Sequence, residues 1–439
     1  MSNVSNGSSK KGTIAVSLTN YLDSGCIVAG ASGLTLWAQQ FGLSSFAVGL
    51  LGAVSANAFG SAFGALIGGH LADKYGRKFI YTYNMLVYIL GVAIIMFSMN
   101  FAMLLAGFLI TGLSVGAGVP ASWTYISEMA DPKTRARNIG ISQFAWSCGP
   151  AIIFTLGILV SPLGLFGNRL LFLSLLIVAV VAWNLQRKLD ESKDWEAEQA
   201  KLKASGAKTA HPMKNAFSNL VNIKSILFLV GVYMFWNLVA GAMGFFMPFV
   251  YETVGGLTNT QANLLQAVLW ILTAAGTYFG FAKFGDRVSH RLLFFVGAAM
   301  AVASWVVLTY VGMSWLGLWT FVVLWGVSAG IGAQAFYALW STELFPTQYR
   351  GGVQGIMFFL VRGSAGIWSI IFPVILANLG FTVAGTIMIA LLAISLLIGV
   401  IWAPNTRGRT LNEITKERYG NLEPNLVRKE TTGVLKESD

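Results

Sequence analysis

The sequence predicts an all-α membrane protein with twelve transmembrane helices in two pseudo-symmetric six-helix bundles. Of its 439 residues, 55% are hydrophobic and only 11% are charged, whereas soluble globular chains carry about 25% charged residues. Apolar runs of about 18 residues or more, long enough to cross a bilayer as helices, recur along the whole chain. Short polar motifs return at matching places in the two halves, which indicates an internal duplication.

Twelve apolar runs supply the predicted spans, and short polar segments separate them. The spans lie near residues 13–36, 45–69, 79–99, 102–126, 138–160, 168–186, 224–250, 260–282, 291–312, 315–340, 352–376 and 381–403.

One long polar segment, residues 187–222, separates the first six spans from the last six. Its Glu, Lys and Ala content favours short surface helices. The chain therefore divides into an N-terminal bundle (1–186), a cytoplasmic linker (187–222), a C-terminal bundle (223–403) and a cytoplasmic tail (404–439).

The net charge of +11 suggests nucleic-acid binding, but the positions of the charges exclude it. With both termini in the cytoplasm, all but two of the 29 Lys and Arg residues fall in cytoplasmic segments or at cytoplasmic helix ends. The exceptions are Arg169 and Arg362. This distribution predicts a multi-pass protein of the cytoplasmic membrane whose basic residues meet anionic lipid head groups.

The first repeated motif lies between neighbouring spans of each half. The segment "GGHLADKYGRK" follows the second span and "GDRVSHR" follows the eighth, so Asp286 corresponds to Asp73. The second half carries Ser289 and His290 where the first half carries Gly76 and Arg77.

A second pair of motifs follows the fourth and tenth spans. The segment "EMADPKTR" contains Glu128 and Arg135, and "ELFPTQYR" contains Glu343 and Arg350 at the same spacing. Duplicated six-helix halves are typical of secondary transporters, whose substrate binds between the halves near the middle of the membrane.

Asp23 is the one carboxylate that we place deep in a span. An ionised side chain there costs at least ~2.5 kcal/mol unless it is paired, hydrated or protonated. Asp23 is therefore either a group that loads and releases a proton or a neutral residue hydrogen-bonded into helix packing.

Arg362 is the second intramembrane charge, roughly 18 Å along the helix axis from Arg350 at 1.5 Å per residue. Arginine stays protonated in proteins and so needs an anion, dipoles or water. Three roles remain open: pairing with Asp23, binding of an anionic group of the substrate, or capping of carbonyl groups on a neighbouring helix.

The chain resembles the major facilitator superfamily, and within it the sugar porter group, over nearly its whole length. The two motif pairs match that group's patterns, as do "NYLDSG" in the first span, "LDESKDW" after the sixth and "PNTRGRTLNEI" after the twelfth. The resemblance implies proton coupling at Asp23 and a substrate-binding amide at Gln143.

Departures from the group concern its sugar-binding residues. The seventh-span pattern Gln-Gln-x-x-Gly-x-Asn is replaced by "NLVAGAM", which keeps one amide of three, and Phe108 stands where the fourth span usually has an Arg. A polyol such as an inositol, or a small organic acid, therefore fits better than a hexose. The candidate substrate-binding residues are Gln143, Asn237, Gln334, Arg362, Trp236 and Tyr337.

The resemblance also implies a gate at the cytoplasmic surface. In relatives, the Asp and Arg of the loop after the second span hold the two halves together, partly through the positive N-terminus of a facing helix. Here that helix begins near Gly351. The alternative is a positive turn with no gating role. The candidate gating residues are Asp73, Gly76, Arg77, Glu128, Arg135, Asp286, Glu343 and Arg350.

The resulting hypothesis is a transporter that moves a small polar solute by alternating access, as proton-coupled uptake. A uniporter or exporter of the same solute and a transporter-like sensor are the alternatives. We expect no enzymatic activity, because no H-E-x-x-H or G-x-S-x-G motif is present and the three histidines fall in predicted loops. We expect no cofactor or metal ion, and we expect the protein to be a monomer.

Overall fold

Helices account for all of the regular structure in the computed structural model, which describes residues 2–43, 45–131, 133–205, 217, 219–347 and 349–420. No β-strand occurs in these residues. The helices are α1 Ser2–Phe41, α2 Ser45–Val54, α3 Phe59–Tyr75, α4 Arg77–Met96, α5 Phe101–Met129, α6 Arg135–Val160, α7 Gly164–Gln186, α8 Lys193–Ser205, α9 Leu220–Thr253, α10 Asn259–Ala275, α11 His290–Val306, α12 Trp315–Ile331, α13 Ala333–Glu343, α14 Arg350–Trp402 and α15 Leu411–Tyr419.

Eleven stretches of the described residues are long and apolar enough to cross a membrane, and they coincide with the second to twelfth predicted spans. They are Leu50–Tyr75, Arg77–Met96, Phe101–Met129, Arg135–Val160, Gly164–Gln186, Leu220–Pro248, Leu264–Ala282, His290–Val311, Trp315–Glu343, Arg350–Leu376 and Asn378–Trp402.

The first predicted span lies within the 40-residue helix α1 but is not one of these eleven. The polar side chains of Asn20, Asp23 and Ser24 lower its mean hydropathy. All three are buried against other helices, so their polarity is directed into the protein.

Two predicted spans are interrupted, and a third interruption separates two spans within one long helix. The second span breaks between α2 and α3, where Ala58 has φ −139° and ψ −120°. The tenth breaks at Gly332, between α12 and α13. In α14, Gly380 has φ +79°, which separates the eleventh span from the twelfth. Glycine adopts this left-handed conformation at little cost.

The two halves contact each other mainly through two helix pairs. Helix α3 lies along α14, and α6 lies along α10. Within the first half, α1 packs on α6 while α3 packs on α5. In the second half, α9 packs on α14 and α12 packs on both α10 and α11.

The structure of the polar segments agrees in part with the structure predicted from the sequence. The surface helix predicted after residue 187 is confirmed as α8. Two histidines were wrongly placed in loops, because His70 lies in α3 and His290 begins α11 and is buried. Pro132, His211, most of the remaining linker and residues 421–439 lie outside the described residues.

Candidate functional site

A cavity lies between the two halves, with about 730 Å³ of space not filled by atoms, part of it open to solvent. The first half contributes side chains from α1, α6 and the break before α3. The second half contributes side chains from α9, α10, α12, α13 and α14. Of the predicted substrate-binding residues, those that line the cavity are Gln143, Trp236, Asn237, Gln334 and Arg362.

An ion pair joins the two halves beside this cavity. Arg362 Nη2 of α14 lies 3.6 Å from Asp23 Oδ2 of α1, and both side chains are almost fully buried. Trp146 Nε1 of α6 donates a hydrogen bond of 2.8 Å to the same carboxylate oxygen. Asp23 therefore lies behind Trp146 and Arg362, which themselves line the cavity.

Arg362 also binds the break between α2 and α3. Its Nη1 donates to the Asn57 side-chain oxygen at 3.1 Å and to the Asn57 backbone carbonyl at 3.3 Å. Its guanidinium lies 4.9 Å from the centre of the Phe358 ring. Two of the contacts considered for Arg362 are thus present: pairing with Asp23, and a hydrogen bond to a backbone carbonyl of the opposite half, here in the break between two helices.

Two further polar contacts cross between the halves. Gln334 Nε2 of α13 donates to Gln143 Oε1 of α6 at 2.9 Å. The hydroxyl oxygens of Ser147 and Thr277 are 3.4 Å apart. Gln143 and Gln334 therefore join the two halves at the cavity by a direct hydrogen bond.

Several cavity residues carry N–H groups that make no hydrogen bond within the described part of the chain. Such buried donors are rare in folded proteins and call for water or a ligand. They are Gln143 Nε2, Asn237 Nδ2, Trp270 Nε1 and Trp325 Nε1.

Tyr337, predicted to bind substrate, does not line the cavity. It is buried and stacks on Tyr233 with 4.2 Å between ring centres. It also meets Trp123 of the first half edge to face, at 5.9 Å. Tyr337 lies three residues beyond Gln334 in α13, and its ring packs against Tyr233 and Trp123 instead of facing the cavity.

Other cavity residues were missed by sequence reasoning. Asn57 and Ser24 carry short polar side chains that are common in membrane helices, and Trp146 and Trp270 look like packing aromatics. The ring centres of Trp146 and Trp270 are 5.4 Å apart, one in each half. The break in the second span, which brings Asn57 to the cavity, is visible only in the structure.

At the end of the molecule that carries α8, which we call the linker face, Asp73 joins the two halves. Its carboxylate accepts backbone hydrogen bonds from Gly351 at 3.0 Å and Gly352 at 2.5 Å, at the first turn of α14. The positive N-terminus of a helix favours such an anion. The contact matches the one predicted for the helix that begins near Gly351.

A buried charge cluster surrounds this contact. Arg77 lies 2.9 Å from Glu128 and 3.5 Å from Asp73. Glu128 also pairs with Arg350 of the other half at 2.7 Å. The cluster contains two acids and two arginines, so its charges balance, as buried ionic groups require.

The second-half copies of both motifs form the mirror-image contact. Glu343 of the second half lies 3.0 Å from Arg135 of the first half. Asp286 accepts backbone hydrogen bonds from Ala136 at 3.1 Å and Arg137 at 2.9 Å, at the first turn of α6. Burial raises the pKa of the Asp286 carboxyl, and the two backbone N–H groups partly oppose that rise.

Gly76 connects the charge cluster to the linker. It has φ +97°, and a Cβ atom there would collide with the carboxylate of Glu191. Glu191 accepts hydrogen bonds from the backbone of Arg77 and Lys78 at the start of α4. Trp195 Nε1 of α8 donates to the Asp73 carbonyl at 2.9 Å. The segment "LDESKDW" thus packs against the backbone of Asp73 and Arg77, two of the candidate gating residues.

Comparison with known proteins identifies the family. Residues 13–370 match the sequence profile of the family described as the Major Facilitator Superfamily. The chain belongs to the Major Facilitator Superfamily. It is accordingly a multi-pass membrane transporter, and the superfamily's two-half architecture accounts for the paired motifs at the linker face.

A curated relative within the superfamily is the minor myo-inositol transporter IolF of Bacillus subtilis strain 168. It is 47% identical over 415 residues, which cover 93% of this chain and 94% of the relative. The sequence-based assignment to the sugar and polyol transporters of the superfamily is thereby confirmed.

Solved structures of the superfamily share the fold at low sequence identity. The proton:xylose symporter XylE bound to 6-bromo-6-deoxy-D-glucose aligns with a TM-score of 0.80 at 18% identity, over 94% of this chain and 99% of XylE. XylE from E. coli in an inward-open conformation aligns with a TM-score of 0.65 at 20% identity, over 92% of this chain and 98% of XylE.

No metal centre is formed by the described residues, which contain no group of three or more His, Cys, Asp or Glu side chains able to hold a metal ion. The chemistry available in the cavity is therefore that of one ion pair, several amides and several indole N–H groups.

Proposed function

We propose that this superfamily member carries a neutral polyol of the inositol type into the cell together with a proton. The observation that carries the proposal is the ion pair between Asp23 and Arg362, which leaves the cavity without net charge. The relationship to IolF, named a minor myo-inositol transporter, supports the same class of substrate.

The cavity lining supports a polyol over an organic acid. Arg362 is already bound by Asp23 and Asn57, so a substrate carboxylate would have to displace one of them. The unpaired amide and indole N–H groups suit hydroxyl oxygens, which accept hydrogen bonds without bringing a charge. The indole face of Trp270 suits the C–H face of a cyclic polyol.

Proton coupling is proposed for Asp23. Its second carboxylate oxygen, Oδ1, makes no hydrogen bond among the described residues and is buried. A proton that arrives there neutralises the anion and weakens the attraction to Arg362 across the two halves. Proton binding and movement of the halves are thereby linked.

Alternating access is proposed with the linker face in the cytoplasm. The basic residues concentrated at that face support this orientation, with both termini cytoplasmic. The contacts of Asp73, Glu128, Arg135 and Asp286 with the opposite half close the linker face, so this conformation corresponds to one in which substrate enters from the other side.

The division into bundles at residues 1–186 and 223–403 belongs to the same proposal, since the halves must rock as units. The linker of residues 187–222 and the tail from 404 are then cytoplasmic, and a monomer embedded in lipid is the working form.

Uptake into proteoliposomes tests the function. A pH gradient, acidic outside, is imposed on vesicles that contain the purified protein, and radiolabelled myo-inositol is added outside. Accumulation above the external concentration, abolished by a protonophore, is expected. Equilibration that ignores the gradient would indicate a uniporter. Uptake of small organic acids but not inositols would contradict the proposed substrate.

A further inference from the structure

Asn57 lies at an unusual place for a cavity residue, in the break between α2 and α3 rather than on a continuous helix. It is only 6% exposed and lines the cavity. Its backbone N–H donates to the Ser55 hydroxyl at 3.2 Å, and its carbonyl accepts from Arg362. The residue is therefore held at both ends of its backbone while its side chain faces the space between the halves.

The orientation of the Asn57 amide follows from chemistry. Arg362 carries only donors, so the Asn57 atom 3.1 Å from Nη1 must be the side-chain oxygen. The amide nitrogen then points away from Arg362. It makes no hydrogen bond in the described part of the chain, so two N–H donors are left for another partner.

That nitrogen faces Gly241 of α9. A Cβ atom built at Gly241 would lie 3.6 Å from Asn57 Nδ2 and 3.9 Å from its Oδ1. Gly241 falls in "NLVAGAM", the segment that resembles the sugar porter pattern but has Leu238 and Met243 in place of two amides. The absence of a side chain at Gly241 opens the space in which the Asn57 amide meets the cavity.

We propose that Asn57 is a substrate-binding residue of this transporter. Its amide nitrogen donates a hydrogen bond to a ring hydroxyl of the polyol. This contact comes from the first half, and it compensates for the amides that the seventh span, in the second half, does not have. Arg362 is the positioning residue that fixes the amide. The inference rests on the proposed transport of polyols and adds a contact that neither the repeated motifs nor the comparisons assign.

Two variants test the contact in different ways. Asn57→Ala removes the donor, and roughly tenfold weaker inositol binding is expected, equivalent to about 1.4 kcal/mol. Gly241→Ala leaves Asn57 and Arg362 intact but places a methyl group over the amide, at ordinary van der Waals distance. It is expected to weaken binding roughly fivefold or more and keeps the test valid if Asn57→Ala fails to fold.

Gly244→Ala is the matched control for the second variant. Gly244 also lines the cavity, but a Cβ atom there meets no described atom within 4 Å. The added methyl is the same, yet it does not reach Asn57, so a smaller loss of affinity than for Gly241→Ala is expected. Equal losses in both glycine variants would overturn the assignment.

A panel of monodeoxy-inositols separates a binding role from a structural one. Affinities for purified protein are measured by titration calorimetry. The wild type should discriminate against the analogue that lacks the hydroxyl bound by Asn57, and Asn57→Ala should lose that discrimination alone. A uniform loss across all analogues would make Asn57 a structural residue. A wild-type protein that binds no inositol would overturn the proposed function and, with it, this inference.

Discussion

Asp23 and Arg362 are the residues on which coupling depends, because each is a buried charge that has the other as its partner across the two halves. Arginine keeps its proton, whereas a buried carboxyl can become neutral by taking one. Removal of Asp23 and removal of Arg362 should therefore have different consequences for the charge that is left behind.

Coupling at Asp23 can be tested by Asp23→Asn. The variant keeps an oxygen for Trp146 Nε1 but has no titratable group. It should lose inositol accumulation driven by a pH gradient and retain exchange of internal for external inositol, both measured in proteoliposomes. Uphill uptake that persists at the wild-type level would rule out Asp23 as the coupling site.

The same pair predicts an asymmetry in stability. Asp23→Asn leaves the Arg362 charge buried without its anion, a change that typically costs ~3–5 kcal/mol. Arg362→Gln leaves a carboxyl that can be neutralised by a proton, so it should cost less. Apparent melting temperatures in detergent should fall further for Asp23→Asn, and the double variant should recover part of the loss. Equal melting temperatures for the two single variants would contradict this account.

At the scale of elements, the break before α4 depends on a single glycine. Gly76 has a positive φ and lies against Glu191, which caps α4. A side chain at this position is strained by the backbone and also displaces the capping carboxylate.

Gly76→Ala should therefore lower the free energy of unfolding by more than the ~1–3 kcal/mol usual for a residue held in this backbone conformation. Gly312→Ala is a suitable control, because Gly312 has φ +82° and ψ −171°, close to the values of Gly76, and no described atom lies within 4 Å of a Cβ built there. Chemical denaturation monitored by tryptophan fluorescence measures both. A loss no larger than that of Gly312→Ala would show that the contact with Glu191 adds nothing.

The spans could be predicted from the sequence because hydropathy over some twenty residues depends on composition alone. The break between α2 and α3 could not be predicted, because the side chain that binds Asn57 in the break, Arg362, lies 305 residues away along the chain. The first span was predicted in spite of Asn20, Asp23 and Ser24, whose burial explains why it is less apolar than the others.

The candidate site also contains residues that could be predicted from the sequence and residues that could not. Asp23 and Arg362 stood out because charge is rare inside a membrane, and Gln143 because it lies in a recognisable motif. Asn57 and Trp146 had no such signal, since their importance comes from position in three dimensions. Tyr337 shares a helix face with Gln334, but its ring is covered by Tyr233 and so is not available to a substrate.

At the scale of the whole molecule, the two halves close the linker face by matching devices of unequal strength. Asp73 caps α14 and Asp286 caps α6, each from the opposite half. Asp73 also has Arg77 beside it, whereas His290 stands at the corresponding position of the second half. The first latch therefore has a cluster of two acids and two arginines behind it, whereas the second has the single ion pair between Arg135 and Glu343.

Asp73→Asn should shift the population of the transporter toward the conformation open at the linker face, because the neutral amide loses both the attraction of the α14 N-terminus and that of Arg77. The readout is a cysteine introduced at Gly244 in the cavity, in a background where Cys26 and Cys148 are replaced by alanine. Labelling by a membrane-impermeant maleimide added at the linker face should rise in Asp73→Asn. It should rise less in Asp286→Asn, because Arg135 and Arg137 lie near Asp286 but form no ion pair with it among the described residues. Because the closed state must be lost for the reagent to enter, unchanged labelling in Asp73→Asn would mean that the closed linker face is held by helix packing along α3 and α14 rather than by charge.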